Sequence, residues 1–211
     1  MSPKKVDRKE LRRSEIIDAA LVVFGRDGFG QATVDAIAKE AETAKGTVYL
    51  YFEGKEDLFQ QAVRVRLLPV LETLEQLREE FQGSSFELLQ EQIRLLFEKI
   101  SGEGMRVILQ LLIAEGPRFP ELRTYYYRNV IQRFVDSLSK TLDTGIASGE
   151  FRPVSRETMA RVLMGPSLLT GIWKILFDEF SPLDTREVLM TQLDLALRGL
   201  TTDPSASRSS T

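Results

Sequence analysis

The sequence predicts an all-α protein of about nine helices, and three observations carry that prediction. Apolar residues recur at three- and four-residue spacing along almost the whole 211-residue chain, and no useful stretch alternates apolar with polar residues as a half-buried strand would. Glycines, prolines and helix-capping residues interrupt the pattern at helix-length intervals. With 43% hydrophobic and 28% charged residues the composition is that of an ordinary globular protein. The chain has no Cys and no His, which excludes disulfides, thiolate metal sites, cysteine nucleophiles and imidazole acid–base chemistry. No apolar run approaches the roughly 18 residues that a membrane span needs. The basic N-terminus leads into a charged stretch instead of a signal-peptide core. A cytoplasmic protein without metal or cofactor is expected.

The first helix is expected over roughly 9–26, with Ile17, Leu21 and Phe24 on one face and Gly25, Gly28 and Gly30 as its stop. Thr33 can cap a short second helix whose inner face is Val34, Ile37, Ala38 and Ala41, and Thr43 can cap a third that ends near Phe52. A fourth begins at Lys55 and contains Pro69, which removes a backbone hydrogen bond and can localise a bend, as can Gly165-Pro166 further on. Ser84 with Glu87 and Asp184 with Glu187 have capping-box spacing. The helix over 120–148 has its apolar stripe centred on Tyr127, with Val130, Ile131, Phe134, Leu138 and Leu142; Tyr126 lies at the edge and Tyr125 opposite. Residues 201–211 read as a disordered tail.

Charge is unevenly placed. The net value is −3, yet residues 1–13 carry six basic side chains against two acidic ones, while residues 14–55 carry four basic and seven acidic. On charge alone the arm is either a solubilising terminus or a nucleic-acid contact. The third helix adds to this. Its inward stripe is Ala44, Val48 and Phe52, while Gly46, Tyr49 and Leu50 face outward beside Lys45 and Thr47. A helix-interior glycine costs about 1 kcal/mol relative to alanine, and close approach of another backbone is one reason to accept it. An aromatic and an aliphatic side chain on the same exposed face also call for a partner. Two short helices joined by a tight turn, the second presenting such a face, suit insertion into a DNA major groove.

The segment TVDAIAKEAETAKGTVYLYFEGKEDLF at 33–59, with its Lys-Gly-Thr, Tyr-x-Tyr-Phe and Lys-Glu-Asp-Leu-Phe pieces, strongly resembles the helix-turn-helix of TetR-family (TetR/AcrR) transcriptional repressors. The resemblance covers roughly 10–60. It implies that Thr33, Tyr49, Tyr51 and Lys55 hold phosphates, that Thr43, Ala44, Lys45, Gly46, Thr47 and Leu50 meet base edges, and that Phe52 is core. Two positions depart from the family pattern: Glu42 stands where a turn glycine is usual and Ala44 where a small hydroxyl residue is usual. With 14–55 acidic, the arm, especially Lys4, Lys5, Lys9 and Arg12, is expected to supply much of the salt-dependent affinity. The resemblance also implies a division into a DNA-binding domain at 1–54 and a ligand-binding, dimerising domain at 55–200.

Within the larger domain, Phe97, Gln110, Tyr127, Phe134 and Trp173 are the expected pocket-lining residues, since the family's pocket is usually built from its fifth to eighth helices. Core packing is the competing role for these aromatics. Between 188 and 200 eight of thirteen residues are apolar, more than a helix wetted on one side needs. The family's dimer is a four-helix bundle of the last two helices of each chain, so Leu189, Leu193, Ala196 and Leu197 are the expected interface. The expected function is that of a homodimeric, ligand-responsive regulator, by family analogy a repressor, on an inverted-repeat double-stranded operator, with an apolar or amphipathic effector. Two other readings stay open: a helical enzyme or carrier using Glu115 and Glu121 beside the Gly116-Pro117 turn, and a purely structural dimerisation module.

Overall fold

A computed structural model describes residues 8–100 and 103–201. Its helices are α1 (Arg8–Gln31), α2 (Val34–Glu40), α3 (Lys45–Tyr49), α4 (Lys55–Glu80), α5 (Ser85–Ile100), α6 (Glu103–Ala114), α7 (Pro120–Tyr126), a π turn (Tyr127–Ile131), α8 (Gln132–Ala147), α9 (Arg156–Leu176) and α10 (Thr185–Leu200). Since α7, the π turn and α8 run on without a break, these make nine helical rods among the described residues. The all-α prediction holds, and the single extended pairing among the described residues is the isolated bridge between Phe151 and Thr201. None of the described helices is long and apolar enough to cross a membrane. The predicted tail, like Lys4 and Lys5, falls almost entirely outside the described residues.

Two compact units form, one from the chain up to Leu68 with Glu103–Tyr127, the other from Pro69–Gly102 with Arg128 onward. α4 is a single 26-residue helix shared between the units, and within the first unit α1 packs on α6.

In the first unit α1 is longer than expected. Gly25 and Gly30 do not stop it; only Gly28 leaves helical geometry, at φ 76° and ψ 158°. That conformation is open essentially to glycine alone, and a side chain there would also meet Glu115 Oε1. The kink delivers Phe29 into an aromatic cluster with Phe24, Phe59 and Phe119, at ring separations of 4.9 to 6.2 Å. Ile16, Ile17, Ile37, Val48 and Phe52 complete the inner faces of α1 to α3.

In the second unit α5, α8, α9 and α10 bury one another around Leu89, Ile93, Phe97, Leu138, Leu142, Phe151 and Leu163. The Phe151 ring lies against Gly145, where any Cβ would overlap it. The capping box predicted at Ser84 forms: Glu87 accepts from the Ser84 amide at 2.8 Å, and the Glu87 amide donates to Ser84 Oγ at 3.2 Å. Asp184 likewise caps α10 by accepting from the Arg186 and Glu187 amides.

The π turn changes the helix phase. It inserts one extra residue into the α-helical ladder and rotates the side chains before it relative to those after it. Val130, Phe134, Leu138 and Leu142 face inward as expected. Tyr127, the expected centre of that stripe, is instead 53% exposed, while Tyr126 is half-buried, and burial raises its hydroxyl's pKa above the ordinary value.

Candidate nucleic-acid interface

The α2–α3 segment is built by local chemistry. Thr33 N-caps α2, its Oγ1 accepting the Ala36 amide at 3.2 Å. At the other end the Thr43 amide donates to Ala38 O at 2.9 Å and the Glu42 amide to Lys39 O at 3.2 Å. This is a Schellman closure with Glu42 in the left-handed position, at φ 48°. The turn therefore keeps the geometry for which a glycine is usual, at a penalty of about 1–2 kcal/mol for the non-glycine residue. Thr43 is taken up in this closure and does not cap α3. That place falls to Ala44, which has no side-chain cap to offer.

The helix so positioned is short. It ends at Tyr49 and does not run on to Phe52. Val48 and Phe52 point into the core, and the outward face consists of Ala44, Lys45, Gly46, Tyr49 and Leu50, with Thr43 and Thr47 half-buried. Leu50 is 80% exposed, an arrangement that costs apolar hydration unless something covers it. A Cβ added at Gly46 would meet no atom within 4 Å. No packing within the chain calls for glycine at this position.

The charged candidates divide. The Lys45 ammonium is 2.6 Å from Asp35 Oδ2 across the α2–α3 junction, with both side chains exposed. That hydrogen bond, foremost, raises the lysine's pKa above its ordinary value. Arg12 pairs with Glu15 at 2.9 Å and reaches Ala41 O at 3.5 Å, and Lys9 is exposed in the first turn of α1. Lys55 corrects the expectation. Its ammonium turns inward and donates to the carbonyls of Phe29, Gly30 and Ala32 at 2.8, 3.0 and 3.4 Å, over the Phe29 ring. Those acceptors engage its three protons, so this side chain fastens the kinked end of α1 to the start of α4 and is not presented to a phosphate. Arg13, not singled out from the sequence, does similar work: it donates to Gln61 and lies over the Phe52 ring.

Of the expected pocket residues, Gln110 and Tyr127 belong to the first unit and Phe97, Phe134 and Trp173 to the second. Phe97 and Phe134 are buried in packing, Gln110 and Tyr127 are exposed, and Trp173 is half-buried with its indole N–H donated to Ser181 O at 2.7 Å. The expected interface residues Leu189, Leu193 and Ala196 belong to the second unit's own core. A helix apolar on every side leaves open which face turns inward, and the outer face of α9 and α10 is Val162, Leu169, Met190 and Leu195. Between these helices runs a shallow groove of about 240 Å³, lined by Val162, Leu163, Pro166 and Leu195 among others. Glu115 packs beside Gly28 with Arg118 3.9 Å away, whereas Glu121 is exposed. No cluster of metal-binding side chains occurs among the described residues.

Comparison with known proteins agrees with this layout. Residues 16–62 match the family described as bacterial regulatory proteins, tetR family, and residues 87–196 match the AefR-like transcriptional repressor C-terminal domain. The uncharacterized HTH-type transcriptional regulator YfiR of Bacillus subtilis is 30% identical over 161 residues, covering 73% of this chain and 75% of that protein. The fatty acid metabolism regulator protein of the same organism is 29% identical over 158 residues, covering 74% and 79%. The crystal structure of the Bacillus subtilis transcriptional regulator FadR in complex with stearoyl-CoA superposes with a TM-score of 0.71 at 25% identity, covering 88% of this chain and 98% of that one.

Proposed function

Because the chain belongs to the TetR family of DNA-binding transcriptional regulators, we propose that it acts as a homodimeric repressor on an inverted-repeat operator, released when an amphipathic small molecule binds. The observation that carries this reading is the outward face of α3, where Gly46 opens onto empty space between Lys45 and the exposed Tyr49 and Leu50. Thr43, Ala44, Lys45, Gly46, Thr47 and Leu50 meet base edges, Lys45 donating to guanine and Leu50 packing on a thymine methyl. The hydroxyls of Thr33, Tyr49 and Tyr51 donate to phosphates, and Lys9, Arg12 and the arm's Lys4 and Lys5 supply salt-dependent affinity. With the Lys55 side chain drawn inward, its share of phosphate contact passes to the backbone N–H groups of the first turn of α4, which lack intrahelical partners.

DNA recognition is assigned to 1–54, and effector binding and dimerisation to 55–200. A partner copy covers the outer face of α9 and α10, where Val162, Leu169, Met190 and Leu195 stand exposed. Each such side chain is already partly buried, so covering the rest of it gains about half of the roughly 1.5–3 kcal/mol that full burial brings. The proposed effector is a long-chain fatty acyl compound, a choice supported by the name of a Bacillus subtilis relative, a fatty acid metabolism regulator, and by the similar Bacillus subtilis structure that holds stearoyl-CoA. Pro69, inside α4, gives that helix a place to bend as the effector shifts the dimer toward a non-binding state.

The test is selection from randomised duplex DNA at near-physiological salt, followed by titration of the selected complex with stearoyl-CoA. The expected result is an enriched inverted repeat, lost in Lys45→Ala and Tyr49→Ala and released by the acyl compound. Leu195→Arg is expected to sediment as a folded monomer that no longer holds the repeat. No enrichment at any salt concentration defeats the operator reading, and a complex indifferent to stearoyl-CoA defeats the effector assignment alone.

A further inference from the structure

The Asp35–Lys45 pair goes beyond what the outward face of α3 requires. Asp35 lies in the first turn of α2 and Lys45 opens α3, and the intervening turn sets their charged atoms 2.6 Å apart while the side chains remain 66% and 50% exposed. A strong acceptor and a strong donor thus occupy one point on the surface that carries Gly46, Tyr49 and Leu50. The pair's net charge is zero, so it adds little long-range attraction to DNA, and a phosphate drawn by Lys45 is repelled by Asp35. It is poorly suited to the backbone.

A base-pair edge is another matter. Across the major groove a G·C pair presents guanine N7 and O6 as two acceptors and then the cytosine N4 donor. An ammonium beside a carboxylate offers donors followed by an acceptor, the complement of that order. An A·T pair presents acceptor, donor, acceptor, which sets the adenine N6–H against the ammonium.

We propose that Asp35 and Lys45 together read one G·C pair in each half-site, Lys45 Nζ donating to guanine O6 and N7 and Asp35 accepting from cytosine N4. On binding, the hydrogen bond between the two side chains is exchanged for hydrogen bonds to the base edge. Lys45 carries its ammonium at neutral pH, and the hydrogen bond to Asp35 raises its pKa further, so the donors are in place before DNA arrives. The inference rests on the operator reading above and names two of its specificity-determining residues.

The same duplex selection tests it with Asp35→Ala, Asp35→Asn and Lys45→Ala run beside the unaltered protein, thermal melts confirming that each variant folds. The unaltered protein is expected to enrich an inverted repeat with an invariant G·C pair at one position of each half-site. Asp35→Ala should keep the repeat but relax that position, reducing discrimination there by roughly tenfold or more, and should bind random duplex more tightly because a carboxylate has gone. Asp35→Asn should shift the position toward adenine, whose N6 and N7 suit an amide. An unchanged repeat in both Asp35 variants overturns the pair reading and leaves operator binding standing. No repeat with the unaltered protein overturns both.

Discussion

Replacing Gly46 with alanine separates what α3 needs as a helix from what it does as a surface. The substitution adds one methyl group at a position where nothing in the protein lies within 4 Å, so it introduces no clash. It also removes the backbone freedom of a glycine in a five-residue helix, a change worth about 0.5–1 kcal/mol of added stability. The urea midpoint should therefore rise while the dependence on denaturant stays the same. DNA binding should move the other way. The methyl occupies the space into which a groove wall must come, and displacing one close base-edge contact costs about 1–3 kcal/mol, so affinity for the selected duplex should fall by between about fivefold and about 150-fold. Fluorescence anisotropy with a labelled duplex measures this directly. A more stable protein with unchanged affinity refutes the reasoning, since Gly46 would then be a surface glycine without a partner. A less stable one contradicts the open surroundings themselves.

Three further outcomes come from the same geometry. Glu42→Gly relieves the left-handed strain at φ 48° and should stabilise the protein by about 1 kcal/mol in denaturant titrations; a loss of stability would mean that the carboxylate has a structural role. Lys55→Met keeps the apolar stem but strips the donor from the Phe29 and Gly30 carbonyls, costing about 2 kcal/mol of stability. The slope of DNA affinity against salt should not change, whereas a phosphate ligand would lower it by about one. Glu150 governs an acid response. Burial disfavours its charge, but the hydrogen bonds it accepts from Ser85, Ser148 and the Phe86 amide outweigh this and hold its pKa below the ordinary carboxylate value. A depressed folded-state pKa stabilises fully above the unfolded value of about 4.3 and is lost as pH falls through the folded one. Thermal melts from pH 7 to 3 should show this loss reduced in Glu150→Gln, and an identical profile would contradict it.

Apart from Ala44, which the helical projection turned inward and which stands exposed because it is the N-cap and not part of the helix, the outward face of α3 could be read in the sequence: a buried stripe of Val48 and Phe52 leaves the residues opposite it to solvent or a partner. The caps at Thr33, Ser84 and Asp184 were equally legible, since a cap joins residues two or three apart and needs no distant neighbour. The positions that changed role depend on what arrives from elsewhere. Lys55 has ordinary lysine chemistry until the kink at Gly28 brings three carbonyls to its ammonium. Asp35 and Lys45 are ten residues apart and become one recognition element only after the Schellman turn folds α3 back on α2. Tyr127 and the leucines of α10 show the limit of periodicity. One extra residue in a π turn rotates every side chain before it, and a helix apolar all round leaves the choice of inward face to the helices packed against it. Composition and local spacing were thus enough to determine an all-helical chain with an N-terminal helix-turn-helix segment, while the choice of which charged and apolar side chains remain free for a partner was made by tertiary packing, because only packing decides which of them are already satisfied within the chain.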